Sequence, residues 1–175
     1  MKNQKLFIVT LSLMFLGLFS KAVQGQEIET RIGAMLAYGT EIENIGIGAN
    51  AEFGITDKLS ISPSFIYYFP KEEGPVKFNW FEINGNANYY LLQDEGFQIY
   101  GLAGLNYTHA KVKFDGPSEG LYGNSLSDGN GKFGLNIGAG ANLNLDGNIT
   151  PFAELKYVIS DFDQLIIAAG VRFNI

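Results

Sequence analysis

The sequence predicts an all-β fold in which eight antiparallel strands run up and down and close into a barrel. Three observations carry this. From Gln26 onward apolar residues alternate with polar or small ones at period two, and no helical period survives for more than a turn or two. The alternating segments are joined by tight turns and longer connections in strict succession. Their number is even, so both ends of the folded chain return to the tight-turn end.

The chain has 175 residues, and the first 25 have their own grammar. Lys2 and Lys5 precede an apolar run from Leu6 to Phe19, broken only by Thr10, Ser12 and Gly17, and SKAVQG follows with small residues at Val23 and Gly25. Residues 1–25 read as a cleavable export signal cut before Gln26, leaving one domain, 26–175. The 14-residue apolar run is shorter than the roughly 20 residues of a spanning helix. The chain has no cysteine, which excludes a lipoprotein anchor, disulfides and thiolate metal sites. Loss of Lys2, Lys5 and Lys21 leaves 9 of 12 basic residues against all 18 acids, a net charge of −9. Binding to nucleic acid through its phosphates is excluded on that ground.

The first strand is expected over Ile28–Tyr38, followed by a connection from Gly39 to Asn44. The second, Ile45–Thr56, puts Ile45, Ile47, Ala49, Ala51, Phe53 and Ile55 on one face and Gly46, Gly48, Asn50 and Gly54 on the other. Asp57-Lys58 turns the chain into the third, Leu59–Phe69. Pro63 lies in the middle of that strand, where it demands a bulge or a break at Ser62. Pro70 to Val76 leads to the fourth, Lys77–Leu92, with Asn84, Asn86 and Asn88 on one face, and Gln93 to Gly96 is a tight turn. The fifth, Phe97–Phe114, is followed by the longest connection, Asp115 to Gly131. The sixth, Lys132–Leu145, alternates Phe, Leu, Ile and Ala with Gly and Asn, and Asp146-Gly147-Asn148 turns it into the seventh, Ile149–Ile159. Pro151 sits near that strand's start, where it is tolerated. Ser160 to Asp163 connects to the eighth, Gln164–Ile175.

A soluble barrel hides its apolar face and a membrane barrel shows it to lipid. Here the apolar faces carry no charge, and the opposite faces are rich in glycine and asparagine. Glycine facing water weakens a strand without return, whereas in a narrow lumen it makes room for larger groups opposite. Aromatics also gather at strand ends. Tyr38, Tyr67, Phe69, Trp80, Phe81, Tyr107, Phe133 and Tyr157 fall toward the loop end, and Phe53, Tyr89, Phe97, Phe152 and Phe173 toward the turn end. Two such girdles suit the headgroup levels of a bilayer. The fold expected is therefore a transmembrane barrel; a soluble, lipocalin-like binding barrel is the alternative.

The inward phase carries Glu29, Arg31, Glu52, Glu82, Glu154, Lys156 and Arg172. Of these Arg31, Glu52, Glu154 and Arg172 fall at similar depth on strands one, two, seven and eight, which adjoin on closure, so a structural cluster of ion pairs is expected there. Strands three, five and seven send in Ile66 and Tyr68, Tyr100 and Leu102, Phe152 and Val158, against glycines from strands two, six and eight. Eight strands leave an interior that side chains can fill, so the lumen is expected to be plugged.

The chain ends Gly170-Val171-Arg172-Phe173-Asn174-Ile175, which resembles the terminal signal of bacterial outer-membrane barrels: a glycine followed at +3 and +5 by apolar or aromatic residues. The last residue is Ile where Phe is usual, and Ala168 stands where a polar residue is usual. With the export signal and eight strands, the chain from Gln26 to its end resembles the small eight-stranded outer-membrane β-barrel proteins of OmpX and OmpA-barrel type. The resemblance implies an outer-membrane location with both ends of the exported chain in the periplasm. It also implies recognition of Gly170, Phe173 and Ile175 by the barrel assembly machinery. Possible roles in such proteins are membrane integrity, adhesion and resistance to host factors. The loops are short except Asp115 to Gly131, which argues against long, protruding strand extensions here.

Some barrels of this class modify lipid A, which requires a histidine beside a serine and an acid. The only histidine, His109, has Lys111 as its next same-face neighbour, and Ser118, Ser125 and Ser127 belong to the long loop. No catalytic residue is expected. Asp115, Glu119 and Asp128 in that loop lack the EF-hand spacing, and neither metal nor cofactor is expected. Leu121 and Tyr122 are apolar residues in an otherwise polar loop and are the candidates for surface contact. The expected function is a non-enzymatic, monomeric membrane-structural or surface-interaction protein. Its partners would be outer-membrane lipid, the assembly machinery and an unidentified surface partner, with a narrow channel or small-ligand carrier as the rival reading.

Overall fold

A computed structural model describes residues 29–73, 76–114, 127–145 and 147–175; side chains are described for all of these except 72, 73, 113, 114 and 127–129. The expected export signal, Leu121, Tyr122 and most of the acidic, glycine-rich connection that contains them lie outside the described residues. The strands are β1 (Thr30–Gly39), β2 (Asn44–Thr56), β3 (Leu59–Glu73), β4 (Val76–Gln93), β5 (Phe97–Phe114), β6 (Ser127–Leu143), β7 (Ile149–Ile159) and β8 (Gln164–Asn174). They pair in chain order and close antiparallel, β8 on β1, through the register Met35↔Gly170 and Arg31↔Asn174. This is the expected eight-stranded up-and-down barrel.

The apolar face points outward. Leu36, Ile47, Ile83, Leu105, Ile137, Leu155 and Ile167 are all exposed on the outer wall. The buried residues are largely polar: Glu52, Glu82, Asn88, Asn106, Asn142 and Arg172 are almost fully enclosed. A soluble barrel would show the reverse, so that alternative is set aside. Glycines on the inner face make room for larger side chains. A Cβ at Gly140 would overlap the Tyr100 ring, and one at Gly33 would come 2.9 Å from Arg172 Cγ.

Three expectations are corrected. β3 runs unbroken through Pro63, which sits opposite Gly85 of β4 with no change of register there. On the β2 side the register is also constant, from Asn50↔Ser64 to Phe53↔Ile61, but the pairing skips Ala51 and Glu52 opposite Pro63 and Ser62. The missing N–H is thus absorbed by a local gap in one ladder instead of a bulge. Trp80 and Phe152 do not belong to the girdles. Phe152 is buried in the lumen, and Trp80, in phase with Glu82 and Asn84, packs against the interior apolar cluster.

The third correction concerns length. β6 leaves β7 at Leu135↔Ile159 yet stays paired with β5 as far as Lys113↔Ser127. The eight residues Ser127 to Gly134 therefore extend the ladder by about 25 Å along the strand. β3 likewise continues past its last pairing with β2, Gly46↔Tyr68, to Glu73. A four-stranded sheet, β3 to β6, projects beyond the shorter wall made by β7, β8, β1 and β2. Pro70 and the Gly-rich stretch around Gly129 and Gly131 read as loops because turn residues dominate them, but ladder pairing carries the strands through.

Candidate functional site

The barrel interior holds two polar networks, and the loop-end mouth lies above the second. In the turn-end network every strand supplies one side chain: Arg31, Glu52, Ser60, Tyr90, Tyr100, Asn142, Glu154 and Arg172, in strand order. Arg172 is its centre. Its Nη1 lies 3.1 Å from Glu52 Oε2 and donates to Asn142 Oδ1 at 2.9 Å, while Nη2 lies 2.7 Å from Glu154 Oε1. The guanidinium also stacks over the Phe152 ring, 3.8 Å from its centroid. Glu52 Oε1 accepts from Ser60 Oγ at 2.6 Å and from the Tyr90 hydroxyl, and Glu154 Oε1 accepts from the Tyr100 hydroxyl at 2.7 Å. Arg31 is more loosely held, 3.9 Å from Glu52 and 3.6 Å from the exposed Glu29. The four charged residues singled out by depth in the sequence thus lie together.

The second network was not paired from the sequence. Glu82, fully buried on β4, faces Lys156 of β7 at 3.5 Å across the lumen. It also accepts from Gln164 Nε2 at 2.6 Å, Tyr68 at 3.0 Å and Asn106 at 3.3 Å. Lys156 donates to Asn84 Oδ1 at 2.9 Å, which also accepts from Asn106 and Asn136. The signal was present as Asn84, Asn86 and Asn88 in one phase of β4, a ladder of amides able to solvate a buried ion pair. Neighbour-strand reasoning misses the pair because β4 and β7 are not adjacent.

Met35, Ile66, Ile166 and Ala168 fill the space between the networks, leaving an enclosed void of about 10 Å³ beside Glu154 and Lys156, room for about one water. Each end opens into a cup. The turn-end cup, about 280 Å³, is lined by Arg31, Glu52, Tyr90 and Gln98 among others. The loop-end cup, about 380 Å³, is lined by Glu41, Ile42, Phe78, Trp80, Phe162 and Asp163 among others. There Trp80 and Phe162 meet edge to face, centroids 5.5 Å apart, and Lys132 lies 2.6 Å from Asp161, holding that carboxyl below its ordinary range through the hydrogen bond and the charge.

The other residues singled out are placed as follows. Gly170 faces inward at the seam opposite Met35, while Phe173 and Ile175 are exposed on the outer face at the turn end; the Ile175 amide donates to Thr30 O at 2.9 Å. His109 stands in the outward phase of β5, its ring 5.1 Å from that of Phe81 and its Nδ1 without a hydrogen-bond partner among the described residues. Ser118, Ser125 and the side chain of Ser127 lie outside the described residues. No group of three or more His, Asp or Glu converges as a metal site among the described residues.

A closed eight-stranded barrel with an apolar outer belt and a polar, ion-paired interior defines an integral outer-membrane β-barrel. The chain belongs to the outer membrane protein beta-barrel domain family, whose pattern it matches over residues 8–173. Similar solved structures include the N-terminal β-barrel domain of Pseudomonas aeruginosa OprF, at 19% identity and TM-score 0.63 over 87% of this chain and 100% of that one. Neisserial surface protein A aligns at 16% identity and TM-score 0.62, over 87% and 100% of the two chains. Ail, the attachment invasion locus protein of Yersinia pestis, aligns at 19% identity and TM-score 0.52, over 83% and 97%. At these identities the likeness is one of fold. Among curated protein sequences no match is found.

Proposed function

We propose that this protein is a non-enzymatic outer-membrane barrel whose interior is a structural plug and whose role is membrane support or surface interaction. The observation that supports it most is the filled lumen: two polar networks and the apolar packing between them leave an enclosed void of only about 10 Å³ at that level among the described residues. The projecting β3 to β6 sheet favours the surface side of that pair of roles, because it carries backbone and side chains beyond the membrane-facing wall. Among the described residues His109 has no orienting acid, and it faces away from the lumen, which argues against hydrolysis. In this reading both ends of the exported chain lie in the periplasm and the loop end faces outward from the cell. Gly170, Phe173 and Ile175 engage the assembly machinery, and the barrel works as a monomer. Planar-bilayer recordings test the plug: no single-channel steps of nanosiemens size are expected, and their regular appearance would replace this reading with a channel.

A further inference from the structure

We propose that the loop-end cup binds an organic ammonium, a primary amine carried on an aromatic or alkyl body, between the Trp80 and Phe162 rings and the carboxylates of Glu41 and Asp163. This goes beyond a plugged structural barrel and does not depend on it.

The cup has the two surfaces such a ligand needs. One wall is apolar, formed by Ile42, Phe78, Trp80 and Phe162, with the last two rings at 77° to each other. An indole face is the best of the aromatic partners for a cation. The opposite side is acidic. Glu41, Glu43, Asp161 and Asp163 stand against Lys71 and Lys132, and the two ammonium groups already face Glu43 at 3.8 Å and Asp161 at 2.6 Å. Among the described residues no ion pair reaches Glu41 or Asp163; Asp163 receives one long hydrogen bond, from Tyr157 at 3.3 Å.

The floor of the cup is closed and rigid. Gln164 lines the cup and is only 2% exposed. Its Nε2 is committed to Glu82 at 2.6 Å, which fixes the amide's orientation, yet its Oε1 is buried with no hydrogen-bond partner. That oxygen is enclosed against Gly39, so Gln164 closes the floor of the cup and its amide is held in place by Glu82. Carboxylates and aromatic faces accept an ammonium and repel an anion. A volume of about 380 Å³ falls within the lower part of the range of small-ligand sites.

Trp80 is the only tryptophan of the chain, so its emission reports on this cup directly. The refolded barrel, residues 26–175, is titrated in detergent micelles with 2-phenylethylammonium chloride and, at equal ionic strength, with 2-phenylethanol and sodium phenylacetate. A saturable change is expected with the ammonium alone. The double variant Glu41→Gln, Asp163→Asn, with unaltered heat-modifiable gel mobility, is expected to bind at least about tenfold more weakly. The proposal is overturned if the ammonium gives no saturable change, if the alcohol or the anion matches it, or if the double variant titrates like wild type. The three-probe comparison on wild type decides the matter even if the variant refolds poorly. Bilayer conductance leaves this outcome untouched, so the two proposals fail separately.

Discussion

Replacing Arg172 with alanine removes the cation on which the turn-end network converges. Arg172 is fully buried, 2.7 Å from Glu154 and 3.1 Å from Glu52, and it covers the Phe152 ring. Removing one partner of a buried ion pair costs about 3–5 kcal/mol, because the remaining charge stays desolvated. Two carboxylates are stranded here, but neither is left bare: Glu52 keeps Ser60, Tyr90 and the distant Arg31, and Glu154 keeps Tyr100. A loss of about 4 kcal/mol follows. Arg31→Ala provides the internal standard, since its carboxylates lie at 3.6 and 3.9 Å and one is exposed; about 1–2 kcal/mol is expected. The triple variant Arg172→Met, Glu52→Gln, Glu154→Gln removes all three charges together and should recover most of the loss. Equilibrium urea unfolding of the barrel in phosphatidylcholine vesicles, read by Trp80 emission and gel mobility, measures each value. The reasoning fails if Arg172→Ala costs less than about 1 kcal/mol or no more than Arg31→Ala.

In the same assay Lys156→Ala should destabilise by about 3–5 kcal/mol, because Glu82 is left buried among neutral donors, and Glu82→Gln added to Lys156→Met should remove most of that cost. Gly140→Ala pushes a methyl group into the Tyr100 ring and should cost about 1–3 kcal/mol, whereas Ala153→Gly, on the exposed wall, should cost less than about 1. Asp161, whose carboxyl Lys132 holds low, stabilises the loop while ionised, and that contribution is lost as pH falls through its folded value, below 3.8. Phe162, next in the chain, then loosens from Trp80, so Trp80 emission should shift in that acid window and the shift should vanish in Asp161→Asn.

Alternation made the walls of this barrel readable, because a single misplaced residue would turn a whole strand inside out. The depth of Arg31, Glu52, Glu154 and Arg172 was readable for the same reason, since adjoining strands convert sequence offset into height. Position along the strand puts Trp80 in a girdle although it shares its phase with Glu82 and Asn84; for Phe152 position and phase point to different places, and the phase, which puts it in the lumen, is the one the fold obeys. The Glu82 to Lys156 pair was out of reach because strand order fixes neighbours around the wall, whereas contacts across the lumen depend on closure and shear. The loop-end cup was hidden in the same way: Glu41, Trp80 and Asp163 come from three separate parts of the chain, and only the closed barrel brings them to one mouth.

The ring of one residue from each strand also bears on how the barrel shuts. Its central cation belongs to β8, the strand that seals the wall against β1 through Gly33↔Arg172. Slipping β8 by one position would turn Arg172 toward lipid and bring Val171 and Phe173 into the lumen. Slipping it by two would keep the face but move the guanidinium by about 7 Å, out of reach of both carboxylates. Either slip takes the guanidinium away from Glu52 and Glu154, leaving the first with Ser60, Tyr90 and Arg31 and the second with Tyr100. The native seam is the register in which Arg172 meets both acids, so the ion pairs of the lumen and the hydrogen-bonded closure of the wall favour the same alignment of β8.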